Sequence, residues 1–166
     1  MQHTLKVISA DGITEANSKA ELYRLLNEPE EAESICYDVL AVDPEDQKAL
    51  RLLGLAITDQ FKGDPSDRYA EVESIFERLR DEYERLYYRG ILYERRTKAQ
   101  LTAGRPAYSL LILLEEAIAS YEKAEKIRPR GNDDAILRWN RCIRLLQSRP
   151  ESDWHPTTEM VDIGGA

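Results

Sequence analysis

Histidine and cysteine are scarce in this chain, with two of each among its 166 residues. His3 and His155 both lie close to an end, so the body of the chain has no imidazole to serve as a general base. His155 and Glu159, four residues apart, could share a helical face as metal ligands, but they read better as polar tail residues, and no metal site is expected. Cys36 and Cys142 stand far apart inside helical apolar patterns, which fits two buried free thiols in a reducing compartment. The longest apolar run is Leu110–Leu114, far short of the roughly 20 residues that cross a bilayer. The start, Met1-Gln2-His3-Thr4-Leu5-Lys6, has no basic residues leading into an apolar stretch, so a cytoplasmic protein is expected. No glycine-rich phosphate loop occurs, since Gly164-Gly165 simply ends the sequence. Glu30-Glu31 and Glu115-Glu116 read as helix-start carboxylates favoured by the helix dipole. Together these absences point away from an enzyme and from any cofactor.

Charge is plentiful and unevenly placed. The net charge is −8, with 31 acidic against 23 basic residues. Residues 1–46 hold three bases and eleven acids, and residues 47–82 hold six and eight. Residues 83–149 reverse the sign, with fourteen bases and eight acids, and the last seventeen residues hold four acids and no base. An acidic head and a mildly basic body exclude general nucleic-acid binding but leave room for charge-steered contacts.

Apolar residues recur at three and four positions through most of the chain, which predicts helices over about 13–27, 30–42, 46–61, 67–82, 83–103, 107–127 and 133–148. Breakers separate them at Pro29, Asp43-Pro44, Lys62-Gly63-Asp64-Pro65, Gly104-Arg105-Pro106 and Pro129-Arg130-Gly131. The fifth helix, at about 21 residues, would be near 30 Å long. Residues 1–12, with Leu5 and Val7 alternating, read as an extended arm or a single strand. Residues 13–148 form the helical domain, and 149–166 an acidic, flexible tail. The fold class is all α.

A repeat underlies the helices. Ala20 and Gly54 occupy equivalent small positions 34 residues apart. Leu50-x2-Leu53-Gly54-x2-Ile57 is followed later by Leu86-x3-Gly90-x2-Tyr93. On the alternate helices, Ala32-x3-Cys36-x2-Val39-x4-Pro44 is echoed by Ala117-x3-Tyr121-x2-Ala124-x4-Pro129, and Ala135-x3-Trp139-x2-Cys142 opens the last helix. These phrases resemble the tetratricopeptide repeat family, over about residues 13–148. The match is weaker in the second repeat, where Val72, Phe76 and Leu79 are not followed by the proline. The resemblance implies a right-handed solenoid of about three helical hairpins and a capping helix, with small residues such as Ala20, Ala32, Gly54 and Ala117 letting paired helices approach.

The resemblance also implies a function: a scaffold or adaptor holding a protein partner, for instance within a larger complex, on a concave face lined by the first helix of each repeat. The outward positions of those helices would be Asn17, Glu21, Arg24, Arg51, Leu55, Asp59, Tyr87, Ile91, Glu94, Arg95 and Asn140. Family members that grip a C-terminal carboxylate carry a Lys/Asn/Arg clamp, where this chain has Asn17, Glu21, Leu52, Glu84 and Tyr88. That departure points away from such peptides. Tyr83, Tyr87, Tyr88 and Tyr93 interleave with Arg85, Arg89, Arg95, Arg96 and Lys98, so the long hairpin 83–128 offers an alternative as a site for nucleic acid or a small ligand. Trp154, alone in the acidic tail, reads as an anchor docking the tail on its own chain or on another copy.

Overall fold

The computed structural model describes residues 2–157. Its elements are α1 (Ile13–Leu25), α2 (Pro29–Val42), α3 (Gln47–Thr58), α4 (Tyr69–Glu77), α5 (Glu82–Thr102), α6 (Leu111–Lys126), α7 (Asp134–Gln147) and α8 (Glu151–Trp154). Short 3-10 turns precede α1 at Ala10–Gly12 and α6 at Ala107–Leu110. There is no strand among the described residues, so the chain is all-helical. Residues 2–9 have no regular secondary structure, and Leu5 and Val7 are 92% and 80% exposed.

Local chemistry accounts for most boundaries. Asn27 takes a left-handed φ of 60°, and Glu28 N–H donates back to the Tyr23 carbonyl at 2.8 Å, closing α1 with a Schellman turn. Pro29 starts α2, where its missing N–H costs nothing. Asp46 caps α3, its carboxylate accepting the Ala49 N–H at 2.8 Å. After α5, Gly104 at φ 93° lets Arg105 N–H reach the Gln100 carbonyl at 2.9 Å. The fourth helix is shorter than its periodicity predicts. Asp67 is occupied in accepting the Lys62 and Gly63 N–H groups at 2.7 Å each, which folds the 62–67 loop on itself.

The chain divides into two compact units, one of residues up to 61 together with 68–81, the other of 62–67 together with residues from 82 onward. In the first, α1 packs on α2 and α3, α2 on α3, and α3 on α4. Ala20, Ala32, Cys36, Val39, Leu50, Leu53, Ile57, Val72 and Phe76 form its buried interior. In the second, α5 packs on α6, α6 on α7, and α7 on α8. Leu114, Ala117, Tyr121, Ala124, Ala135 and Cys142 are buried there.

One device recurs in both units. A Cβ added at Gly54 would lie 2.1 Å from the Phe76 ring, and one at Gly90 would lie 2.5 Å from the Tyr121 ring. Each glycine gives an aromatic ring of a neighbouring helix a seat on the backbone, bringing the two helix axes close. Fully burying a large side chain of this kind contributes about 1.5–3 kcal/mol.

Candidate functional site

In the first unit the predicted residues gather on the face shared by α1 and α3. Arg24 grips Asp59 with two hydrogen bonds, Nε at 2.7 Å and a terminal nitrogen at 3.2 Å. Both side chains are only about a fifth exposed, so this charge-assisted fork is partly dry and better ordered than a surface pair. One end of the same face carries Lys48 against Glu21 at 3.1 Å. Arg51 and Leu55, both half-buried, continue the α3 row between Lys48 and Asp59. Asn17 is a correction. Expected to point outward, it is 4% exposed and donates to the Asp46 carboxylate at 3.0 Å. It braces the cap of α3, because the turn of α1 that carries it faces α3 rather than solvent.

The second unit corrects two more positions. Ile91 and Glu94, expected on the outward side of α5, are 2% and 0% exposed. The stripe Tyr83, Gly90, Ile91, Glu94 and Thr97 faces inward, because the bare backbone at Gly90 draws the Tyr121 ring of α6 onto that side. Tyr87, Arg95 and Asn140 are half-buried. The tyrosines engage one another: Tyr87 stacks on Tyr83 at 5.9 Å and 13°, meets Tyr88 edge-on at 5.1 Å, and tilts against Tyr121 at 5.9 Å. Burial pushes the Tyr87 hydroxyl above its ordinary pKa.

Glu94 is the centre of a polar knot that sequence reasoning missed. Its carboxylate accepts from Lys98 Nζ at 2.5 Å, Tyr121 Oη at 3.1 Å, Arg138 at 3.2 Å and Cys142 Sγ at 3.6 Å. Four donors compensate a fully desolvated charge and tie α5 to α6 and α7. Only the Glu94–Lys98 spacing of four was visible beforehand. Burial, and then Glu94, push the Cys142 thiol up to about 12 and raise the Tyr121 hydroxyl further. The knot is therefore a bracing arrangement with no ready nucleophile or base.

A second knot ties α2 to the start of α4. Arg68 reaches Glu33 at 2.5 and 3.1 Å, Gln60 donates to Glu33 at 2.8 Å, and Tyr37 donates to Glu71 at 3.1 Å. Burial alone would raise the Glu33 carboxyl, but Arg68, Gln60 and Tyr37 as donors outweigh it and hold the group below its ordinary value.

Trp154, expected as a tail anchor, is 4% exposed and donates Nε1–H to the Leu146 carbonyl at 3.0 Å. The tail expected to be flexible from 149 thus folds as α8 against α7, while residues 158–166 lie outside the described residues. A cleft of about 330 Å³ borders the ring, lined among others by Leu111, Glu115, Leu146 and Arg149. His155 is exposed, and Glu159, its suggested metal partner, is outside the described residues. Among the described residues no group of three or more His, Cys, Asp or Glu is placed to hold a metal ion, and no helix is long and apolar enough to cross a membrane.

What these residues define is an all-helical protein whose polar side chains brace helix against helix. Comparison with protein-family models, with curated proteins and with solved structures finds no match to the chain.

Proposed function

We propose that the protein is a tetratricopeptide-like repeat scaffold that holds a protein partner and performs no chemistry of its own. One observation carries this reading. In the first unit, polar contacts between helices recur at one repeat length: Arg24 to Asp59 and Glu33 to Arg68 are 35 residues apart. Tyr37 to Glu71 and Pro44 to Arg78 are 34 apart, and Gln47 to Arg80 is 33. A chain in which residue after residue meets its counterpart about 34 positions on is stacked as repeats. In the second unit the corresponding tie, Glu94 to Arg138, spans 44 residues, as an insertion in that hairpin requires.

Repeats of this kind expose the surface of their first helices, and on α1 and α3 that surface carries Glu21, Arg24, Arg51, Leu55 and Asp59. Pre-paired charges around a half-buried leucine suit a protein surface, since fixed side chains lose little entropy on binding. The nucleic-acid alternative draws less support, because Tyr83 and Tyr87 are engaged in packing and could not stack on bases. Buried free thiols and the lack of a membrane-crossing helix fit a cytoplasmic setting.

The test is capture of partners from the source cell by the tagged chain, followed by titration calorimetry with the purified partner. Leu55→Lys together with Arg51→Glu is expected to lower affinity about tenfold or more at unchanged helicity. A double variant that binds like the parent overturns the α1/α3 face. A turnover assay that detects chemistry in the purified chain overturns the scaffold reading.

A further inference from the structure

A stack of repeats needs outer helices with polar outer faces to stay soluble. The outer face of α1 does not meet that need. Leu22, Leu25 and Leu26 are 51%, 78% and 58% exposed, at the end of a helix that packs only through its opposite side. Acidic residues frame them. Glu21, Leu25 and Glu28 make one row at the i, i+4, i+7 spacing, and Ser18, Leu22 and Leu25 make the next. Glu21 contacts Lys48, Lys19 beside the row contacts Glu15 at 4.0 Å, and Glu28 has no basic partner among the described residues.

The complementary surface lies on α7. Its outer row is Leu137, Arg141 and Arg144, again at i, i+4, i+7, with Leu137 63% exposed and both arginines exposed. Neither arginine has an acidic partner among the described residues, although Arg138, one turn inward, is bound to Glu94. The α7 row belongs to a segment with an excess of bases, and the α1 row to the most acidic stretch of the chain.

We propose that these two rows bind each other between copies of the chain, the α1 face of one molecule seating the α7 face of the next. Leu25 and its neighbours cover Leu137, while Glu21 and Glu28 face Arg141 and Arg144. A pairing of α1 with α1 is disfavoured, because it would set the glutamates of two copies against one another. The contact is heterologous, so association continues beyond a dimer unless a ring closes. Both patches are small, which makes the contact weak and its charged part sensitive to salt.

Sedimentation velocity on the full chain tests this. The weight-average sedimentation coefficient is expected to rise with concentration from the micromolar range toward about 1 mM and to fall back when salt is raised from about 50 to 500 mM. Arg141→Glu with Arg144→Glu, and separately Glu21→Lys with Glu28→Lys, are each expected to weaken association about hundredfold, because like charges then meet. An equimolar mixture of the two variants restores it, since acidic α7 then meets basic α1. Circular dichroism confirms that each variant is folded. A wild-type chain that stays monomeric throughout overturns the proposal. So does a folded α7 variant that associates like the parent, which would assign the leucines to an α1–α1 contact, or a mixture that fails to regain association.

Discussion

Glu94 has no exposed surface, yet four donors face it from α5, α6 and α7. Removing one member of a buried charged cluster strands the rest, so the energetic weight of this residue lies in what its loss leaves unpaired. Glu94→Ala leaves Arg138 and Lys98 beside an apolar hole and is expected to cost about 3–5 kcal/mol in urea unfolding. Glu94→Gln keeps the shape and two acceptor lone pairs and is expected to cost less than half as much. Equal loss for both variants would show that volume, not charge compensation, governs the site. From sequence, Glu94 looked like any polar residue on a helix surface. Its burial depends on Gly90, whose lack of a Cβ decides which side of α5 meets α6.

At the scale of elements, α8 is four residues long and could not stand alone as a helix. It persists because Trp154 closes over α7 and α6 near Leu146 and Leu111, with its indole N–H satisfied by a backbone carbonyl. Trp154→Ala removes a buried ring and is expected to destabilise the second unit by about 3 kcal/mol. The denaturant midpoint reports it, and a change under about 0.5 kcal/mol would mark the ring as a surface ornament. The helix ends were legible where they rest on local chemistry, as at Asn27-Glu28-Pro29 and Asp46. They were misjudged at α4, where a predicted start at Ser66 or Asp67 gave way to a loop that uses the Asp67 carboxylate for its own backbone.

Over the whole molecule, acidification has two opposed effects. With a net charge of −8 at neutral pH, protonating carboxyls relieves repulsion. Against that, Glu33 is held below its ordinary value of 4.5 by its donors in the folded state. Its contribution to stability is complete above about 4.5 and is lost as the pH falls through the lower folded value. The wild-type chain is therefore expected to lose stability between about pH 4.5 and 3, while Glu33→Gln starts lower at pH 7 and changes less over that window. Thermal midpoints of both chains at matched ionic strength check the sign. Parallel curves would remove Glu33 as the cause.

The sequence by itself determined the helical class, the order and approximate span of the seven main helices and the repeat length. Each of these rests on contacts within a few residues or on a periodicity that needs no partner. It also marked Gly54, Gly90 and Tyr121 as special, because small and aromatic residues at fixed spacing have few other uses. Only the tertiary structure decided the rotation of each helix about its own axis. A turn of about 100° separates neighbouring residues, so a polar side chain one position from the surface row can be buried. Asn17 and Glu94 went inward for that reason, each stabilised by partners that lie 29 and 27 to 48 residues away along the chain. Tertiary contact likewise seated Trp154, since nothing near it in sequence announces that the Leu146 carbonyl waits eight residues back.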